Sequence, residues 1–109
     1  MKDRRTAPRV RVNLPARWEG VVSRETATVT DISRNGCFVL TGGKVEVKEL
    51  VWLEIQLTDS QTVNFWAEVV DAASEIGFAL KFNSSSPEDE AELAKFLEGI
   101  FQSQAQKKA

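Results

Sequence analysis

Apolar and polar residues alternate along most of the chain, and the period of the alternation changes once, near residue 86. Val10, Val12, Leu14, Ala16 and Trp18 interleave with Arg9, Arg11, Asn13, Pro15 and Arg17, the period of two that marks a half-buried strand. Pro15 has no N–H for a ladder, which predicts an edge position or a local bulge, and Gly20 ends the run. Over 24–32, Thr26, Thr28 and Thr30 alternate with Ala27, Val29 and Asp31 as a second strand. Asn35-Gly36 predicts a tight hairpin turn with positive φ, and 37–40 resumes the apolar character. Thr41-Gly42-Gly43 breaks the chain, and 44–49 reads as a connecting loop. Inward faces follow at Val51, Leu53, Ile55 and Leu57, then at Val63, Phe65, Ala67 and Val69, then at Ile76, Phe78, Leu80 and Phe82.

The last element has a helical period. Ser86-Pro87 sets a capping hydroxyl before a proline at the first helical position, and Glu88, Asp89 and Glu90 place negative charge at the positive end of the helix dipole. Leu93, Phe96, Leu97, Ile100 and Phe101 form one apolar stripe that has to lie on another surface. The acidic run is therefore explained as a helix start and needs no catalytic role. Short strands separated by turn residues indicate a small barrel or sandwich, and a barrel is preferred because closure removes exposed edges. The expected fold is mainly β, a six-stranded antiparallel β-barrel with a C-terminal α-helix. Residues 1–9 read as a flexible arm, 10–102 as the barrel with its helix, and 103–109 as a polar tail. Tryptophan is more often core than contact surface, but Trp52 and Trp66 are out of phase with the inward residues of their strands. Two readings stay open for them: core or, if both project outward, an exposed patch.

Composition narrows the function. With 109 residues and 42% apolar content the chain is expected to form one domain with a single core. There is no histidine, and the one cysteine, Cys37, lies in an apolar run. Neither a disulfide within the chain nor a zinc site can be assembled, and no nucleophile and base pair can be named, so an enzyme is not expected. The start MKDRRTAPRV has no apolar signal region, which points to a soluble, cytoplasmic protein. The net charge of −2 hides an asymmetry: residues 1–34 carry eight basic groups against four acidic ones, and all seven arginines. Arginine confined to one region suggests recognition of something anionic and planar. The acidic remainder argues against a long nucleic-acid duplex and makes a small anionic ligand the better fit.

Two stretches carry the candidate chemistry. Arg4-Arg5-Thr6-Ala7-Pro8-Arg9 packs three guanidinium groups into six residues on an extended arm, and an arginine fork complements phosphate oxygens or the O6 and N7 acceptors of guanine. Taken alone it also reads as a solvated basic terminus. Asp31-Ile32-Ser33-Arg34-Asn35-Gly36 presents, at strand spacing, a carboxylate and a hydroxyl on one face beside a glycine. An ionised aspartate accepts two hydrogen bonds side by side, the complement of the N1 and N2 donors of guanine. Alternatively, Asp31 and Ser33 satisfy only local backbone groups.

The order R-x-x-x-R, a gap of 21 residues, then D-x-S-x-x-G before a strand resembles the PilZ domain, the bacterial receptor module for cyclic di-GMP. The stretch from Ile76 to Phe82 is similar to the late strand of that family, which carries a glycine followed by alternating apolar residues. The resemblance covers nearly the whole chain and implies a six-stranded barrel followed by a helix. It implies that Arg5 and Arg9 hold phosphates and guanine edges, that Asp31 and Ser33 contact a guanine, and that Gly36 keeps the surface open. Arg4 stands at the position that influences whether one dinucleotide or a stacked pair is bound, and an arginine there implies the pair. No cofactor is implied. A module without an attached output domain is expected to change shape on binding and regulate a protein partner, in motility, adhesion or exopolysaccharide output. A PilZ-like adaptor that binds proteins without nucleotide is the alternative.

Overall fold

The computed structural model describes residues 8–108, with side chains through residue 103. Six strands and one helix follow in order: β1 (Val10–Glu19), β2 (Arg24–Ile32), β3 (Gly36–Leu40), β4 (Leu50–Thr58), β5 (Gln61–Asp71), β6 (Gly77–Ser84) and α1 (Pro87–Lys108). The strands close into an antiparallel barrel in the order β1-β2-β3-β6-β5-β4, with β1 and β4 completing the ring. Among the described residues, closure leaves no long unpaired edge.

The alternation read along the sequence is the inside and outside of this barrel. Val10, Leu14, Ala16 and Trp18 are buried from β1, Val51, Leu53, Ile55 and Leu57 from β4, and Val63, Phe65, Ala67 and Val69 from β5. Trp18 meets Phe78 edge to face at 5.1 Å, and its indole N–H donates to Thr41 Oγ1 at 2.9 Å, so the one polar atom of this buried ring is satisfied. The register of β1 against β2 shifts between Arg11 and Leu14, and β1 meets β4 only from Ala16 onward. Pro15 thus sits between a bulge and the first residue paired to β4, where its missing N–H costs least.

Ile76 departs from the expected pattern. It precedes β6, is 64% exposed, and belongs to the β5–β6 connection, where its carbonyl accepts from the Thr41 N–H. Inward alternation starts one step later, at Phe78 and Leu80.

Helix α1 starts as expected. The Asp89 N–H donates to Ser86 Oγ at 3.1 Å, and the Glu90 N–H donates to the Ser86 carbonyl at 3.0 Å. Asp89 also accepts the backbone N–H of Asn64 at 3.0 Å, and the Ser85 hydroxyl donates to the Asn64 carbonyl, which pins the helix start to β5. Leu93 and Leu97 are buried in the core, and Phe96, Ile100 and Phe101 pack partly against it. The helix continues to Lys108, through most of the segment read as a polar tail. Glutamine, lysine and alanine extend a helix readily once a packed first half has nucleated it.

Candidate functional site

The connection between β2 and β3 is a short polar turn. The Ser33 N–H donates to the Gly36 carbonyl at 2.8 Å, and Ser33 Oγ accepts the N–H groups of Asn35 at 3.0 Å and Gly36 at 3.3 Å. Ser33 is only 3% exposed. The hydroxyl therefore performs the closure that a primed Asn-Gly turn was expected to perform. Among the described residues positive φ occurs only at Lys48 and Gly43, so Asn35 and Gly36 do not adopt the left-handed turn read from the sequence. Glycine is required at 36 for a different reason: a Cβ there would lie 2.2 Å from the Leu80 carbonyl oxygen, where β3 runs against β6. Gly77 does the same at the other end of that strand pair, 1.9 Å from the Val39 carbonyl oxygen.

Strand β2 ends at Ile32, so its alternation does not extend through Ser33. The expectation that Asp31 and Ser33 share one presented face is not met: Ser33 turns into the loop and Asp31 remains at the surface. The Asp31 carboxylate accepts a charge-assisted hydrogen bond from the Arg9 guanidinium, with the two side chains 35% and 51% exposed. This pair follows from the register, which sets Val10 against Ile32 and Arg11 against Asp31 at the start of β1. The last arginine of the R-x-x-x-R motif and the aspartate of D-x-S-x-x-G, 22 positions apart, are thereby brought into contact. Arg4 and Arg5 lie outside the described residues.

Sequence reasoning missed what lies beside the turn. A groove of about 390 Å³ runs between Arg34, the end of β6 and the first turns of α1, with Pro8, Phe82, Asn83, Glu90 and Leu93 among its walls. Arg34 lies inside the motif and was a visible signal. Glu90 was fully explained as a helix-start charge, and nothing in a linear pattern places that helix beside the turn.

Cys37, next in the chain, is fully buried. Burial pushes its thiol well above the usual range and the Asp31 charge adds to the shift, so a reactive thiolate is disfavoured. Among the described residues no group of three or more His, Cys, Asp or Glu side chains is placed to hold a metal ion. Among them, too, no helix is long and apolar enough to cross a membrane.

The opposite mouth of the barrel is different. The 20–23, 41–49 and 72–76 connections surround a cleft of about 780 Å³, with Val21, Val22 and Val47 standing exposed at its rim. On the outer wall, Trp52 and Trp66 face each other across β4 and β5 with ring centroids 5.1 Å apart, and Trp66 is 46% exposed. Neither indole belongs to the buried core, so of the two readings left open by the sequence the structure gives the outward one.

A closed six-stranded barrel with a C-terminal helix, carrying an arginine–aspartate contact beside the β2–β3 turn, is a small β-barrel module. The PilZ domain model matches residues 3–99, and the chain belongs to the PilZ domain family, whose members are ligand-binding receptors rather than enzymes. Among solved structures, it is similar to the Bacillus subtilis inhibitor of motility MotI/DgrA, at 20% identity and a TM-score of 0.76, over 97% of this chain and 53% of that one. It is similar also to Escherichia coli YcgR, solved in complex with c-di-GMP, at 15% identity and a TM-score of 0.77, over 95% of this chain and 49% of that one. The PilZ domain of CeSA from a cellulose-synthesizing bacterium matches at 15% identity and a TM-score of 0.66, over 85% of this chain and 97% of that one. The chain thus spans about half the length of the first two and nearly the full length of the third. Among curated proteins none matches it.

Proposed function

We propose that this chain is a cyclic di-GMP receptor that binds the dinucleotide between its N-terminal arginines and the turn at Asp31 to Gly36. The reading is carried by one observation, the contact between Arg9 and Asp31, which joins the two motifs at a single surface. Membership of the PilZ family supports it, as does the shared fold of Escherichia coli YcgR, whose structure holds this ligand. In the proposed complex Arg5 and Arg9 hold phosphates and guanine edges, and Asp31 accepts from the N1 and N2 donors of a guanine. Ser33 holds the turn beneath the ligand, and Gly36 lets that turn lie flat against β6. The Arg9–Asp31 pair is exposed on both sides, so its opening to admit a base costs little.

Arg4 favours a stacked pair of dinucleotides over one. Ligand closure of the arm changes the surface offered to a protein partner in the cytoplasm, and that change is the output. Calorimetric titration of the purified chain with cyclic di-GMP tests the proposal. Saturable binding with two ligands per chain is expected, and no heat at tens of micromolar ligand would rule the receptor out. Capture of the same partner with and without the dinucleotide would favour the nucleotide-independent adaptor instead.

A further inference from the structure

Arg34, inside the proposed binding turn but given no role there, and Glu90, outside it, stand on the same groove. Arg34 comes from the turn, Asn83 from the end of β6 and Glu90 from the first turns of α1, and all three are exposed. Between them lies Phe82, half-buried, with its ring stacked on Phe65 at 4.2 Å between centroids and 19° between planes. Pro8, next to Arg9, forms part of the wall, so the groove is continuous with the surface where Arg9 meets Asp31. An aromatic floor, a few convergent polar groups and a volume near 390 Å³ are the ordinary attributes of a small-molecule site.

The chemistry of the rim selects a class of ligand. A guanidinium fork takes a pair of acceptors and a carboxylate takes a pair of donors, and guanine offers both pairs on adjacent edges of one ring. Adenine lacks the paired donors and leaves a carboxylate half-satisfied. An aromatic floor suits a flat base, since stacking is indifferent to the rest of the ligand.

We propose that this groove is a second base-binding subsite, in which Phe82 floors a guanine, Arg34 takes its O6 and N7 edge and Glu90 its N1 and N2 edge. The inference rests on the receptor reading and deepens it. The consequence is mechanical: Arg34 belongs to the turn and Glu90 to the helix, so a base in the groove ties the start of α1 to the β2–β3 turn.

The test is a set of calorimetric titrations of the full chain with cyclic di-GMP and, separately, cyclic di-AMP, comparing wild type with R34A and E90Q. R34A is expected to weaken cyclic di-GMP binding about tenfold or more, as loss of a charge-assisted bidentate contact should. E90Q, which replaces one acceptor by a donor, is expected to narrow the preference for cyclic di-GMP over cyclic di-AMP by a similar factor. Both side chains are exposed, so the variants should melt like the wild type, and altered binding would report the contact rather than the fold. If the wild type binds and both variants stay within about twofold of it for both ligands, the subsite is refuted and the receptor reading stands. If the wild type itself does not bind, both fall together.

Discussion

At the mouth of the barrel that holds the β2–β3 turn, backbone groups are paired at close range and charged side chains arrive from the turn, from β2, from the residue before β1 and from α1. At the opposite mouth, Val21 and Val22 stand 81% and 74% exposed beside a cleft about twice the volume of the groove. The same six strands feed both ends, so the difference lies in the connections. Ser33 and Gly36 close β2 onto β3 within a few residues, which leaves a flat polar rim suited to a charged, planar ligand. The longer 41–49 connection crosses from β3 to β4, pinned by the hydrogen bonds of Lys48 and Glu49 with Val69, and leaves a bowl with an apolar lip. Within one barrel, loop chemistry makes one rim flat and polar and the other open and apolar-lipped.

Four substitutions break or sharpen that contrast. Gly36→Ala drives a Cβ into the Leu80 carbonyl and should destabilise the fold by about 3 kcal/mol in urea unfolding. Gly42→Ala, on the opposite mouth with nothing within 4 Å, should leave the midpoint unchanged. An equal effect at both sites would mean that the tight turn is not what distinguishes the ends. Arg9→Ala should reduce cyclic di-GMP affinity by about 2 kcal/mol while barely moving the melting temperature, because the ion pair it loses is exposed. Ser33→Ala leaves two turn N–H groups without their acceptor and should cost about 1 kcal/mol or more of stability, with weaker ligand binding as a secondary result.

The smallest effect belongs to the barrel wall. The Arg17 hydrogen bond holds the Glu54 carboxyl below its usual range. A depressed folded-state value means that the stabilisation is present above the unfolded value and fades as pH falls through the folded one. Glu54→Gln should therefore lower stability slightly at neutral pH and low salt, with the difference from the wild type vanishing as pH falls through the folded value; solvent screening keeps the loss small.

Much of this architecture can be read from residues alone, for identifiable reasons. Alternation around Val51 to Leu57 and Val63 to Val69 is legible because each strand of a small barrel has one wet face and one dry face. Ser86 and Pro87 are legible because a capping hydroxyl and a first-turn proline have few other uses. Ile76 misled because a side chain in phase with a strand need not belong to it, and here the connection carries it into solvent. Asn35-Gly36 misled because the turn signature was right about place and wrong about mechanism: the serine closes the loop and the glycine yields space to β6. For the site, the Arg9–Asp31 contact was foreshadowed by the motifs. The groove was not, since it depends on where α1 returns, a tertiary fact that no local spacing encodes.

The indoles of Trp52 and Trp66, held edge to face on adjacent staves, form a coupled pair of chromophores, whereas Trp18 sits alone in a dry interior. Circular dichroism should thus register the parting of β4 from β5 as a lost exciton couplet, and emission should register the wetting of the interior as a red shift. Two optical channels built into the wall and the centre can report whether the proposed messenger binding loosens the whole cask or leaves its staves in place.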